Sequence, residues 1–272
     1  MAQELQVVSD ASDPRLAPFR HLNEPSLRDR IEAAEGIFIA EGPGVVADLV
    51  GSRFRVRSVL LDSRRRHELQ DVLDRIDAPI LVASGPVIEG VAGFPFHRGV
   101  LAAVDRGPGL EPDQVVAGVS TVVVAEALND HENLGALFRN ARALGAGAVL
   151  LCPRCADPLY RRSVRVSMGA VLHLPYARLA HWPAGLGRLR GDGFTVLALT
   201  PDPAAGSLEA LSLAPGERVA LVVGAEGPGL TPAALGQADR LVRIPMSGGT
   251  DSLNVSTAAA IALYRLDGIR RE

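Results

Sequence analysis

The runs VVVA at 122–125 and VALVV at 219–223 are apolar at every position. A strand with one face in water alternates apolar and polar residues. A strand with no alternation is covered on both faces, which is the habit of parallel sheets flanked by helices. Such strands recur through the second half of the chain, alternating with helical patterns, so the fold class is α/β with a parallel sheet. In these sheets ligands sit beyond the carboxyl ends of the strands. The loops falling there are NDHENLG at 129–135, TPDPAAG at 200–206, GAEGPGL at 224–230 and MSGGTDSLN at 246–254. They carry the polar and glycine residues, and one pocket at one sheet edge could collect them all.

The first half also alternates. Helical patterns at 22–35, 43–52, 64–76 and 86–93 accompany the strand-like runs GIFIAEG, VRSVLLD, APILVAS and HRGVLAAV. Between the halves, DRGPGLEPDQVVAG is rich in glycine, proline and acid and reads as a linker. The expected organisation is a smaller α/β domain over 1–106, a linker over 107–118 and a second domain over 119–272. At 272 residues and 47% hydrophobic content the chain can bury a substantial core. No run of 18 apolar residues suggests a membrane span. The amino terminus lacks the basic-then-apolar order of a secretory signal. Two cysteines make no disulfide framework, so the cytosol is the expected location.

Net charge is −3, a weak argument against a nucleic-acid partner. The chain has no lysine, however, and its arginines cluster at 53, 55 and 57, at 64–66, and at Arg154, Arg161, Arg162 and Arg165. A basic stripe can hold phosphates despite an acidic total. Charge alone favours solvated helix faces and ion pairs.

Four short motifs could carry chemistry. CPRC at 152–155 lacks a second CxxC pair, and no histidine pair completes four zinc ligands; a redox dithiol stays open beside a plain strand end. No metal site is expected. GAEGPGL fits neither a dinucleotide fingerprint nor a P-loop, but Glu226 among its glycines suggests a ligand in a backbone-lined turn. In NLGALFR, Asn133 reads as a helix N-cap, and Arg139 follows about 1.7 turns later in an otherwise apolar stretch. Its guanidinium needs an acidic or phosphate partner. In SLNVS, Ser252 or Asn254 could cap the last helix.

In chain order, each after a buried strand, stand Asn133…Arg139, Gly224-Ala-Glu226-Gly-Pro-Gly229 and Ile244-Pro-Met246…Ser252-Leu-Asn254-Val-Ser256. Together they resemble the three motifs of the SpoU (TrmH) family of RNA ribose 2′-O-methyltransferases, in the SPOUT superfamily. The resemblance covers roughly residues 120–266. The first half is also similar to the L30e-like substrate-binding domain that often precedes that catalytic domain.

The resemblance implies a catalytic domain with a deep carboxyl-terminal trefoil knot, which periodicity could never announce. It implies S-adenosylmethionine as methyl donor, bound near Leu199, Thr200, Val223, Gly224, Ile244, Met246 and Leu253. It implies a homodimer in which Arg139 reaches the partner's pocket, with the small apolar face of the last helix suited to the dimer contact. Arg139, Asn133, Glu226, Ser252 and Asn254 are the expected catalytic residues. Arg139 would hold the target phosphate and hydroxyl, and Asn133 and Glu226 would orient it or the donor. Arg154, Arg161 and Arg165 would track ribosomal or transfer RNA. Asp130-His131-Glu132 stands where many relatives place proline beside the asparagine, which bears on loop shape only. Other readings are a non-catalytic RNA-binding protein of the same fold, an antibiotic-resistance rRNA methyltransferase, and a nicotinamide-dependent oxidoreductase, for which the fingerprint is missing.

Overall fold

The computed structural model describes residues 5–247 and 252–271. The chain divides into two compact units: one takes the residues up to Pro108 together with Leu159–His173, and the other takes Gly109–Pro158 and the chain from Leu174 on.

Unit 1 is built on a mixed sheet. Its strands are β1 (Leu5–Val7), β2 (Ile37–Glu41), β3 (Val56–Asp62), β4 (Ile80–Ala83) and β5 (Val100–Asp105), in the order β1-β4-β3-β5-β2. Neighbours are parallel at β1/β4 and β3/β4 and antiparallel at β3/β5 and β2/β5. Helices α1 (Pro25–Glu35), α2 (Pro43–Leu49), α3 (Arg66–Leu73) and α4 (Gly85–Ala92) connect them, each close to where apolar periodicity and turn residues predict it. Arg28 and Glu32, one turn apart on α1, form a buried ion pair of 2.7 Å, and Arg106 adds a second contact to Glu32 at 3.0 Å.

Unit 2 begins with α5 (Pro112–Val116), β6 (Thr121–Glu126), α6 (His131–Ala143) and β7 (Ala148–Leu151). The stretch 107–118, expected as linker, is therefore partly structured. Glu111 and Gln114 form a capping box at α5, and Val115 and Val116 join the core. The chain then contributes α7 (Arg161–Val166) and α8 (Ala170–His173) to unit 1. It returns as β8 (Tyr176–Arg178), α9 (Ala184–Gly191), β9 (Phe194–Leu199), β10 (Gly206–Ser207), β11 (Arg218–Gly224), α10 (Pro232–Leu235), β12 (Arg240–Arg243) and α11 (Val255–Arg271).

The seven strands of unit 2 run in the order β10-β12-β9-β11-β6-β7-β8, and every neighbouring pair is parallel. The unalternating runs of β6 and β11 form central strands, buried on both faces. From β6 the chain moves outward through β7 to β8 on one side. It then crosses to the other side, where β11 enters between β6 and β9. This reversal puts a crevice at the carboxyl ends of β6 and β11, where Glu126 and Gly224 stand opposite each other in register.

Candidate active site

Two adjoining cavities open at these strand ends. The first, about 350 Å³, lies against the loops after β9, β11 and β12 and the start of α11. Leu199, Thr200, Val223, Gly224, Ile244, Met246 and Leu253 all line it, as do Glu226, Ser252 and Asn254. The second, about 510 Å³, is lined by the loop after β6, by Asn133 and Arg154, and by the far side of the glycine turn. The wall between them is Ala225, Glu226, Gly229 and Val255, which line both. Residues 248–251, the middle of the expected loop MSGGTDSLN, lie outside the described residues.

The glycine turn fits against itself. A Cβ on Gly224 would collide with the backbone of Gly229 and Leu230, so only glycine allows the fold-back that exposes main-chain groups to the first cavity. Gly227 and Gly229 have φ of +83° and +67°, conformations that L side chains resist. Sequence reasoning found this turn, though its lining role extends to Ala225 and Gly227 as well.

Asn133 is not the N-cap of α6. Asp130 is: its carboxylate accepts from the Asn133 backbone N–H at 2.8 Å. Leu134, Leu137, Phe138 and Ala141 are buried, and the helix starts at His131, three residues earlier than the asparagine reading requires. Asn133 thus sits in the first turn with its side chain available to a neighbour.

That neighbour is Asn254. Its Nδ2 donates to Asn133 Oδ1 at 2.7 Å and to Glu226 Oε1 at 2.6 Å. Its Oδ1 accepts from the backbone N–H groups of Ser256 (3.0 Å) and Thr257 (3.3 Å) and from Ser256 Oγ (2.6 Å). The amide therefore caps α11 with its oxygen and binds across the wall with its nitrogen. Asn140 Nδ2 donates to Ser256 O at 2.9 Å, tying α6 to the same first turn.

Arg139 is exposed on α6 and lines neither cavity of this chain. Arg154 is 63% exposed and reaches the second cavity, its Nη2 3.7 Å from Glu126 Oε1. Arg161 is 22% exposed and engaged within unit 1: it pairs with Glu41 at 2.6 Å, donates to Leu22 O at 3.1 Å and stacks over Phe94. Arg165 is half-buried on the same helix.

Sequence reasoning missed Glu126. It is 1% exposed, yet it is well satisfied. Oε1 accepts from Trp182 Nε1 (2.6 Å) and Thr231 Oγ1 (2.9 Å), and Oε2 accepts from the Thr231 N–H (2.8 Å). One carboxylate thus joins the end of β6, the segment before α9 and the exit of the glycine turn. A glutamate closing an otherwise apolar strand was its only trace in the sequence.

Residues 120–264 match the SpoU rRNA Methylase family. An uncharacterised tRNA/rRNA methyltransferase of Mycobacterium tuberculosis is 52% identical over 262 residues, 96% of this chain and 91% of the relative. The 23S rRNA (guanosine-2′-O-)-methyltransferase RlmB of Acinetobacter baylyi is 31% identical over 209 residues, 75% of this chain and 84% of the relative. The crystal structure of an AdoMet-bound rRNA methyltransferase from Sinorhizobium meliloti superposes with a TM-score of 0.80 at 25% identity, covering 98% of both chains. The chain belongs to the SpoU family of RNA ribose 2′-O-methyltransferases.

Proposed function

We propose that the first cavity binds S-adenosylmethionine and the second receives the target nucleotide of a ribosomal or transfer RNA. The observation that carries this reading is the shared wall, where Asn254 joins Asn133 on the side of the second cavity to Glu226, which lines both. A volume of about 350 Å³ and a lining rich in main-chain groups suit a nucleoside-sized ligand. Thr200, Val223, Gly224, Ile244, Met246 and Leu253 would hold it.

Bound there, S-adenosylmethionine supplies a methyl on a sulfonium centre. The protein has to bring a ribose 2′-hydroxyl into line with it. That hydroxyl is a weak nucleophile at neutral pH, so orientation and local charge do the work. The Asn133–Asn254–Glu226 chain fixes polar groups where the two ligands meet, and the Glu226 carboxylate favours a hydroxyl that is losing its proton. Arg139 acts from the partner subunit of a homodimer, holding the target phosphate. An arginine pKa above about 12 makes positioning easier than proton abstraction.

Two features support the homodimer. Thr257, Ile261 and Tyr264 form an exposed face of α11, with Tyr264 73% exposed. Arg139 is displayed on α6, which packs against α11. A trefoil knot is the proposed path of the chain from β12 through α11. RNA contacts fall to Arg154 and Arg165, with Arg161 holding its helix in place. No helix among the described residues is long and apolar enough to cross a membrane; the cytosol is the proposed location.

Transfer of labelled methyl to RNA, followed by mapping of ribose methylation, tests the reading. Arg139→Ala should abolish transfer and leave donor affinity within a few-fold of wild type. Wild-type turnover in that variant would remove Arg139 from the mechanism.

A further inference from the structure

The proposed reaction leaves Cys152 and Cys155 without a role, although they sit beside the second cavity. Cys152 follows β7 directly, and the Cys155 N–H donates to Cys152 O at 3.1 Å, so CPRC is a tight turn. Arg178 clamps that turn, donating to the carbonyls of Cys152, Cys155 and Ala156. Ala156 N–H donates to Leu128 O at 2.8 Å.

Both sulfurs face the end of β6 and are buried, Cys152 at 0% and Cys155 at 6% exposure, so peroxide reaches them through local opening of the turn. Cys152 Sγ accepts from the Ala127 N–H at 3.1 Å, and Cys155 Sγ, with one proton to give to either Ala125 O or Cys152 Sγ, lies 3.2 Å from Ala125 O. The sulfurs are 3.8 Å apart. A β-turn holds its end Cα atoms within about 7 Å, inside the span a disulfide needs. Closing to about 2.0 Å therefore takes side-chain rotation more than backbone travel. The hydrogen bond from Cys155 holds the Cys152 thiol below its usual pKa, and the same bond, with burial, pushes Cys155 up. One sulfur is prepared as thiolate and the other as proton carrier.

We propose that Cys152 and Cys155 are a reversible dithiol–disulfide site, oxidised by peroxide, whose closure displaces Arg154 and the end of β6 and so lowers RNA methylation. The Cys152 thiolate attacks one peroxide oxygen; an S–O bond forms, the O–O bond breaks and hydroxide leaves. Cys155 sulfur then attacks the sulfenic sulfur; the S–S bond forms, the S–O bond breaks, and the departing oxygen leaves as water with the Cys155 proton. The net change is two thiols and one hydrogen peroxide to one disulfide and two waters.

The coupling follows from what the sulfurs release. Closure withdraws Cys152 Sγ from the Ala127 N–H. Ala127 already stands at φ +55°, next to Glu126, and lines the second cavity. Arg154 occupies the turn being tightened and lines the same cavity. Neither residue lines the first cavity. Oxidation should therefore impair RNA engagement and spare the donor. This consequence rests on the second cavity being the RNA site, whereas the disulfide itself does not.

Trypsin cleaves after Arg142, Arg154 and Arg161, so reduced protein yields ALGAGAVLLCPR and CADPLYR as separate peptides. Peroxide-treated native protein should yield them linked, and dithiothreitol should separate them. Methyl transfer should fall at least about tenfold on oxidation, with donor affinity within about twofold, and should recover on reduction. Cys152→Ser, which removes the sulfur that meets peroxide, should form no link and keep its activity through the same treatment. Absence of the linked peptide from the folded protein overturns the site. A linked protein with unchanged transfer and RNA affinity overturns the coupling, as does a Cys152→Ser variant that loses activity to peroxide. If the reduced wild type methylates no RNA, the proposed function fails, while the linked peptide still decides the dithiol.

Discussion

At the residue scale, Asn254 answers a question the sequence poses and cannot settle. Capping and catalysis ask for the same side chain at a helix start, and an amide can do both because its two ends differ. Substitution can separate them. Asn254→Asp keeps the capping oxygen, loses both donors and sets a second carboxylate against Glu226. Its stability should stay within about 1 kcal/mol of wild type while transfer falls roughly a hundredfold. Asn254→Ala should lose transfer and, in addition, about 1 kcal/mol by chemical denaturation. An aspartate variant with normal turnover would end the idea of a working nitrogen. Glu126 is the counterpart that was illegible. Nothing local distinguishes a strand-end glutamate that meets Trp182 and Thr231 from one that meets water, because those partners arrive from 56 and 105 residues away. Glu126→Ala leaves buried donors unmatched and should cost about 3 kcal/mol, and Glu126→Gln roughly a third of that.

At the element scale, the sequence was informative wherever periodicity and punctuation agreed. β6 and β11 are readable because they never alternate, and the glycine turn because its residues suit few other structures. Gly224→Ala should abolish donor binding, since the obstruction is backbone and cannot rotate away. Gly227→Ala has open space around it and only its φ of +83° to overcome, so it should lose about 1 kcal/mol of stability and retain binding. Calorimetry with S-adenosylmethionine distinguishes the two; equal behaviour would contradict the fold-back described for this turn. The start of α6 was misread for a local reason. Asp130 and Asn133 are both good caps, and only the N–H that one of them satisfies shows which is used. The place of α7 in unit 1 is not legible in the sequence, because its anchors Glu41, Leu22 and Phe94 precede it by more than 60 residues.

For the whole molecule, acid should be destabilising. Arg15 holds Asp13 down to about 2 from its ordinary 3.8, and Arg64 lowers Asp62. A side-chain hydrogen bond from Thr195 lowers Glu217 from 4.5. Lowered groups contribute stability that is complete above their ordinary values and lost as pH falls toward their folded ones. Glu32 has the opposite sign, because burial raises it and its contribution fades as pH rises. With Asp10, lowered by the Ser12 backbone and side chain, four lowered carboxylates stand against one raised, so urea midpoints should hold from pH 7 to about 4.5 and drop between there and pH 2. A midpoint that climbs on acidification would mean Glu32 prevails. RNA affinity, by contrast, should fall steeply with salt, and Arg154→Ala should make the log–log slope shallower by about one.

The excursion of the chain through Leu159–His173 bears on modularity. Unit 1 is assembled from two stretches of sequence, so no single cut separates the units. A fragment of residues 109–272 would carry α7 and α8 without the β2 surface that α7 packs against. Val164, Ala170, Val171 and Leu172, all buried in the intact protein, would be left exposed. Such a fragment should aggregate, whereas replacing 159–173 by a short polar bridge should give a soluble methyltransferase unit that still binds its donor.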